Sequence, residues 1–459
     1  MGDSRKGDAT LFPAKKSGCV PFSVEQTLAR LVPGWPDARL CVALSGGVDS
    51  VTLLKICHGI RATQPQLRLR AVHVHHGLQP LADDWQARCQ SVCLRLDVPF
   101  ETVRLEFTPG SGESVEAEAR EARYRALAAL LQPGEALLTA HHQEDQFETV
   151  LLQLFRGAGV SGLAAMPAGA RFARGLHVRP LLRIARSDIA ACAQEMRLDW
   201  IEDPMNAEVR FSRGYLRREV TPLLRARWPA IARCVARSAS HFADARSLLE
   251  DLAALDAAAA LDGVCLRAEA LSALARPRQA NLLRWWLRQR GLGLPSTARL
   301  AAILDDLLPA RADAQPIVRW ASGEVRRHRG RLYAMQPLVA IPAGPWALVS
   351  GHSLTIEGVG TVTLVPGSGR GLRAGHATQP FVVKLWRGGE RLRPAGHAFK
   401  KSVNRLFQES GMEPWLRNRI PLIYAGEELL AVGDAWLAAE SMAGPGEASL
   451  EVRWERGLA

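Results

Sequence analysis

Between Ala38 and Gly157, short apolar runs alternate with runs of helical periodicity, and that alternation restricts the fold more than any other property of the chain. Strand-like runs lie at Leu40–Leu44, Leu69–Val74, Phe100–Leu105 and Ala136–Ala140, with helix-like runs between them at Val51–Cys57, Ala82–Leu96 and Val115–Leu131. Apolar strands separated by helices predict parallel βαβ units, hence an α/β fold with a doubly wound, Rossmann-like parallel sheet and helices on both faces. Ligands of such sheets bind beyond the carboxyl ends of the strands. The polar clusters obey that rule: Ser45–Ser50 follows the first run, His73–Gly77 closes the second, and His141–Gln146 follows the fourth.

The first cluster, Ser45-Gly46-Gly47-Val48-Asp49-Ser50, reads as strand, glycine turn, helix. A helix N-terminus carries unpaired amides and about half a positive charge, so a glycine turn feeding into one forms a phosphate pocket. Gly46 and Gly47 permit close backbone approach, Ser45 and Ser50 add hydroxyls, and Asp49 is a carboxylate where a divalent cation accompanies a polyphosphate. The competing reading is a plain Gly-Gly turn with Asp49 or Ser50 as an N-cap. No Gly-Lys-Ser/Thr follows, so this is not a Walker A loop. The segment resembles the SGGxDS loop of the PP-loop ATP pyrophosphatases, which implies cleavage of ATP between its α- and β-phosphates and adenylation of a substrate oxygen.

A helix beginning near Glu144 sets Asp145 and Glu148 at i,i+3, so both carboxylates share a face near its positive end, suited to Mg²⁺ or an ammonium group. The run Glu116 to Tyr124 holds i,i+4 charge pairs such as Glu116/Arg120. Within it, Arg123 and Tyr124 either belong to a solvated face or point into the site.

Charge and composition divide the remainder. The 459 residues predict two or three domains, and a net charge of +12 points to a polyanionic partner. From Arg210 to Arg237 there are eight arginines against one acid, Glu219, in a segment that reads as helix continuing to about Ala260. Asp262 to Gln336 reads as a second, helical domain, in which twelve arginines between Arg276 and Arg331 surround Trp285-Trp286. Residues Ile341 to His376 hold eleven Gly or Pro, a pattern of turn-rich β structure or linker, and a small α+β domain with a basic run from Lys400 to Phe407 follows. The expected division is a disordered lead-in over 1–22, a nucleotide-binding catalytic domain over 23–225, a helical nucleic-acid-contacting domain over 226–340, a β or linker region over 341–380 and a C-terminal domain over 381–459. Eight cysteines without a CxxC pair suit a reducing compartment, Cys89 and Cys93 read as core filler, and no run reaches transmembrane length, so a cytoplasmic protein is expected.

Beyond the loop, HVHHGL at 73–78, EAEAREARY at 116–124, TAHHQEDQFET at 139–149, LFRGAGVSGL at 154–163, RPLL at 179–182, WIEDPMN at 200–206 and RPAGHAFKKSVNRLFQESGMEPWLRNRIPL at 393–422 together resemble the tRNA(Ile)-lysidine synthetase family over nearly the whole chain. The resemblance implies an enzyme that uses ATP with Mg²⁺ and free L-lysine to convert the wobble cytidine of tRNA(Ile) with a CAU anticodon into lysidine. It further implies ATP contacts from Ser45, Gly46, Gly47, Val48, Asp49, Ser50, His73 and His75, metal held by Asp49 and Asp145, and lysine held by Glu148 and Arg123. Asp49, Asp145 and Glu148 are the expected catalytic residues; Arg213, Arg217, Arg218, Arg288, Lys400 and Lys401 are the expected tRNA contacts. Two positions depart from the family pattern: Glu144 replaces an Asp, and Gly214 replaces an Asn. Another PP-loop enzyme, whether a tRNA thiolase or a GMP- or NAD-synthetase-like ligase, and a non-catalytic RNA-binding protein are the alternatives. Cys41 and Cys57 lie in apolar runs, which disfavours thiol chemistry.

Overall fold

The computed structural model describes residues 19–75, 77, 81–105, 115–202, 212–311, 314–375 and 380–457. Two compact units divide the chain, Met1–Leu248 and Leu249–Ala459. The lead-in expected through residue 22 ends sooner, because α1 (Cys19–Leu31) already buries Val20, Val24 and Leu28; residues 1–18 lie outside the described set.

The first unit follows the expected alternation: β1 (Arg39–Ala43), α2 (Val48–Thr63), β2 (Arg68–His75), α3 (Ala82–Arg95), β3 (Phe100–Arg104), α4 (Val115–Leu130), β4 (Ala136–Leu138) and α5 (Gln143–Phe155). A short α6 (Val160–Leu163) leads to the hairpin β5 (Gly169–Phe172) and β6 (Gly175–Val178), and α7 (Arg186–Glu195) follows. The sheet order is β3-β2-β1-β4-β6-β5, with β1 parallel to both β2 and β4. The chain therefore steps outward from β1 to β3 and returns on the other side, leaving a topological switch point between β1 and β4 where a crevice opens.

Alternation along β1 explains the two covered faces. Leu40 and Val42 pack with α1, α2, α3 and α7 through Leu28, Leu53, Ile56, Cys93 and Cys192, whereas Cys41 and Ala43 pack against Leu127 and Leu131 of the α4 side. The β5–β6 hairpin is absent from the sequence pattern. It adds β6 parallel to β4 and an antiparallel edge strand. Gly175 permits this addition, since a Cβ there would fall 2.0 Å from the Glu135 carbonyl oxygen.

The segment after the sheet is interrupted twice. A turn α8 (Ser212–Tyr215) runs into a π-helical turn over Leu216–Val220 and then α9 (Thr221–Arg227); after Trp228-Pro229 comes the long α10 (Ile231–Ala260). Pro222 accounts for the wide turn: it has no N–H to give the Arg218 carbonyl, and its ring crowds that position in a regular helix. The Thr221 hydroxyl donates instead to the Leu216 carbonyl at 2.7 Å.

In the second unit the segment expected to be helical is mixed. Helices α11 (Ala268–Ser272), α12 (Arg276–Gln289) and α13 (Thr297–Ala302) pack on a five-stranded sheet of β7 (Leu261–Asp262), β8 (Cys265–Arg267), β9 (Ile317–Trp320), β10 (Gly323–His328) and β11 (Arg331–Met335). Arginines hide these strands in the sequence, because Arg326 and Arg327 interrupt the apolar alternation, while Val318, Val325 and Leu332 supply the core. Residues 341–375 are β structure, with β12 (Trp346–Leu348), β13 (Ser353–Ile356), β14 (Gly360–Ser368) and β15 (Leu372–Arg373). They join a second core with Phe381, Ile423, Leu430 and Val452.

Candidate active site

The loop between β1 and α2 is built as its residues require. Gly46 has φ +86°, and a Cβ there would meet the Ile201 side chain at 2.5 Å, so only glycine fits. Ile201 N–H donates to the Gly46 carbonyl, fixing the loop from below at 2.9 Å. The Ser50 hydroxyl donates to the Gly47 carbonyl and accepts from the Ser45 backbone N–H, so Ser50 ties the loop closed. Gly47 is the N-cap and brings no side-chain cap; the cap is therefore neither Asp49 nor Ser50, and the Asp49 carboxylate in the first turn is left to meet His142 and Arg186.

Across the switch point, α5 begins at Gln143 with the Asp145 carboxylate accepting from the His142 N–H at 3.0 Å, an N-terminal cap that faces Asp145 toward the crevice. His142 Nε2 lies 3.4 Å from Asp145 Oδ2 and 3.8 Å from Asp49 Oδ2, so one imidazole bridges the carboxylates of the two strand ends. Burial pushes the Asp49 carboxyl above its ordinary value, with His142 and Arg186 partly offsetting it. Burial disfavours charge on His142, but the Glu144 hydrogen bond and the neighbouring carboxylates outweigh it and raise its pKa.

One turn further along α5, Glu148 is buried and accepts two bonds from Arg217, at 2.8 and 2.9 Å. Arg217 also reaches Asp145 Oδ1 at 3.5 Å. Burial raises the Glu148 carboxyl, and the Arg217 pair works against that rise. Arg213 donates to the Thr149 hydroxyl at 3.3 Å. Arg217 and Arg213, expected among the tRNA contacts, thus stand inside the crevice on α5. Arg218 points outward and is exposed.

Glu144 fastens this assembly. It accepts from the Arg186 N–H at the start of α7 and from Arg225 of α9 at 2.8 Å. Burial opposes its ionisation, yet the bonds from His142 and the Arg186 backbone prevail and bring it to about 2. An open cleft of about 1080 Å³ results, lined among others by Val48, His142, Glu148, Arg186, Arg217 and Arg233.

His73 and His75 are buried and have partners within the fold. His73 Nδ1 bonds the Leu44 carbonyl at 2.9 Å, bracing the strand before the loop, and His75 Nε2 lies 3.2 Å from Asp83 of α3. Arg123 is half-buried on α4. His76, Leu78 and residues 203–211, including Arg210, lie outside the described set. Sequence reasoning did not single out Thr139, His177, Arg179, Arg186 or Arg225 as site residues.

In the second unit, Trp286 is core and donates to the Val264 carbonyl, while Trp285 packs at the core's edge. Arg288 is half-buried 4.0 Å from Glu250, Lys400 is exposed, and Lys401 pairs with Glu409 at 2.8 Å. No described helix is long and apolar enough to cross a membrane.

Profiles of known families match along the chain: a PP-loop domain over residues 22–224, a TilS substrate binding domain over 266–333 and a TilS substrate C-terminal domain over 381–454. Curated proteins called tRNA(Ile)-lysidine synthase align nearly end to end. That of Coxiella burnetii is 41% identical over 90% of this chain and 92% of its own length, and that of Methylococcus capsulatus is 42% identical over 91% and 97%. The chain belongs to the tRNA(Ile)-lysidine synthase family. The family member of Pseudomonas aeruginosa, 41% identical over 90% of this chain and 93% of its own, agrees. Among solved structures, the U34-tRNA thiolase NcsA of Methanococcus maripaludis is similar at 15% identity and a TM-score of 0.42, covering 49% of this chain and 77% of that one. The PP-loop family model spans the strands and helices that form the crevice at the switch point.

Proposed function

We propose that the chain ligates free L-lysine to C2 of the wobble cytidine of a tRNA(Ile) with a CAU anticodon, converting ATP to AMP and diphosphate. The observation that carries this reading is the convergence of Asp49, Asp145 and Glu148 at one switch point, two carboxylates sharing His142 and the third one turn along the same helix.

In the first step the cytidine O2 attacks the α-phosphorus, the bond to the β-phosphate oxygen breaks and diphosphate leaves. The loop amides at the N-terminus of α2 and the guanidinium groups of Arg186 and Arg217 suit the charge on the phosphates. Asp49 and Asp145 fit Mg²⁺, since Asp49 Oδ1 is buried without a partner among the described residues and this ion takes one or two carboxylates together with substrate phosphates and water. When bound, the ion neutralises phosphate charge.

In the second step the lysine ε-amine attacks C2, and AMP departs with the former O2. The amine must first lose a proton from a group whose free pKa is about 10.4. Glu148 has the position and the burial to hold the ammonium end and promote that loss, with Arg217 fixing its carboxylate.

The test is labelled-lysine incorporation alongside diphosphate release, with ammonia, glutamine and a sulfur donor in place of lysine. Asp145→Ala is expected to abolish diphosphate release. Glu148→Ala should still adenylate tRNA but incorporate lysine poorly, with its lysine KM raised more than its ATP KM. Activity with another donor, and none with lysine, overturns the proposal.

A further inference from the structure

Behind the crevice, on the α4 side of the sheet, four polar groups form a single chain. Arg179 Nη2 is 3.1 Å from His177 Nδ1, His177 Nε2 is 2.8 Å from the Thr139 hydroxyl, and that hydroxyl is 2.8 Å from His141 Nδ1. Thr139 and His177 are buried, and His141 is half-buried in the turn between β4 and α5.

The direction of the chain is set by Arg179, because a guanidinium can only donate. His177 Nδ1 must therefore accept, which places the proton of a neutral ring on Nε2. That proton goes to the Thr139 oxygen, leaving the hydroxyl hydrogen for His141 Nδ1. His141 is thereby fixed as the Nε2–H tautomer, a neutral donor whose Nδ1 is already taken. Burial, with Arg179 and Arg123 nearby, keeps both rings neutral, His177 at about 3 and His141 well below the ordinary imidazole value.

The charged groups that act on His141 are Arg179, Arg123 and Arg120, all cationic. A fixed neutral donor ringed by cations is a receptor for an anionic oxygen. Phosphate and carboxylate are the two sources in this reaction. His142 turns toward Asp49 and the phosphate loop, whereas His141, the adjacent residue, turns toward Thr139 and the α4 side, away from the loop.

We infer that His141 donates Nε2–H to the α-carboxylate of the free amino acid, with Arg179, His177 and Thr139 as positioning residues that fix its tautomer. This rests on lysine being the co-substrate. It assigns the two ends of the amino acid to one strand-to-helix connection, the ε-ammonium to Glu148 within α5 and the carboxylate to His141 in the turn before it.

The experiment compares lysine with cadaverine, the same diamine chain without the carboxylate, in wild type, His141→Ala, His141→Gln and Thr139→Val. Wild type should prefer lysine. His141→Ala should raise the lysine KM and reduce the lysine-to-cadaverine preference about 10- to 100-fold, the range for one hydrogen bond to a charged group, with the ATP KM unchanged. His141→Gln, which retains a neutral donor, should recover part of the preference, and Thr139→Val should lose part of it. A His141→Ala enzyme with its preference intact, or with the ATP KM raised as much as that for lysine, overturns the inference; the latter would assign the donor to a phosphate. If His141→Ala does not fold, an unchanged preference in both His141→Gln and Thr139→Val overturns it equally. Wild type that incorporates no lysine overturns the functional reading itself.

Discussion

Two arginine-rich stretches that look alike in sequence are used in opposite ways. Along α8, the π turn and α9, Arg213, Arg217 and Arg225 turn inward and meet Thr149, Glu148 and Glu144 of α5 at 2.8 to 3.3 Å. Along α12, Arg276 and Arg278 pair with Asp305 and Asp256, but further on Arg284 stands in solvent, Arg288 is held only loosely by Glu250, and Arg290, just past the helix, is exposed. A cationic run is thus two structures: one is the far half of a buried carboxylate site, the other a surface on which a polyanion can lie. The difference lies in whether acids one helix away face the run.

The comparison breaks most visibly at the carboxylates. Asp49→Asn should reduce diphosphate release roughly a thousandfold, as expected when charge complementarity to a developing phosphoryl centre is lost. The fold and tRNA affinity should persist. Near-normal release would remove Asp49 from the phosphate site.

Next in size is Arg217→Ala, which strands the buried Glu148 without its paired cation and leaves Asp145 with His142. Loss of one partner of a buried pair costs about 3–5 kcal/mol, reduced here to about 2 kcal/mol because the arginine side chain is 37% exposed. Turnover should drop while the salt dependence of tRNA binding keeps its slope. Arg217→Lys should recover little, since an ammonium cannot make the paired bonds. A changed salt slope with normal turnover would move Arg217 to the tRNA surface.

On the outer stretch the signature reverses. Arg288→Ala or Lys400→Ala should leave the lysine and ATP KM values alone, weaken tRNA binding severalfold and reduce the slope of log K against log salt by about 1. Filter-binding titrations across a salt series measure this, and an unaltered slope in both variants would argue against these surfaces as phosphate contacts. The smallest effect belongs to Lys401→Ala. Its ammonium is already committed to Glu409, and exposed pairs contribute about 0.2–1 kcal/mol, so stability and affinity should barely change. A loss as large as that at Lys400 would mean the pair opens on binding.

The parallel sheet was legible because buried strands are apolar on both faces, and the loop, Asp145 and Glu148 were legible because ligands gather at strand ends. The β5–β6 hairpin was hidden by its brevity, four residues per strand, one of them at the edge. The bond that Thr139 makes to His177 joins residues 38 apart, and only the placement of β6 beside β4 brings them together. Strands β9 to β11 were masked by arginines on their polar face. The inward course of Arg217 was illegible for a different reason, since composition does not tell which side of a helix meets an acid.

That course depends on the π turn at Leu216–Val220. A regular helix advances each residue by about 100°, so one surplus residue in a turn acts as a phase shift between the helical stretches on its two sides. Arg213 and Arg217 lie before or within the shift and Arg225 after it, and all three nevertheless meet the same flank of α5. The insertion works as a vernier between two stretches of helix. Shortening the chain by one residue there would rotate α9 by about a quarter turn or slightly more and swing Arg225 off Glu144.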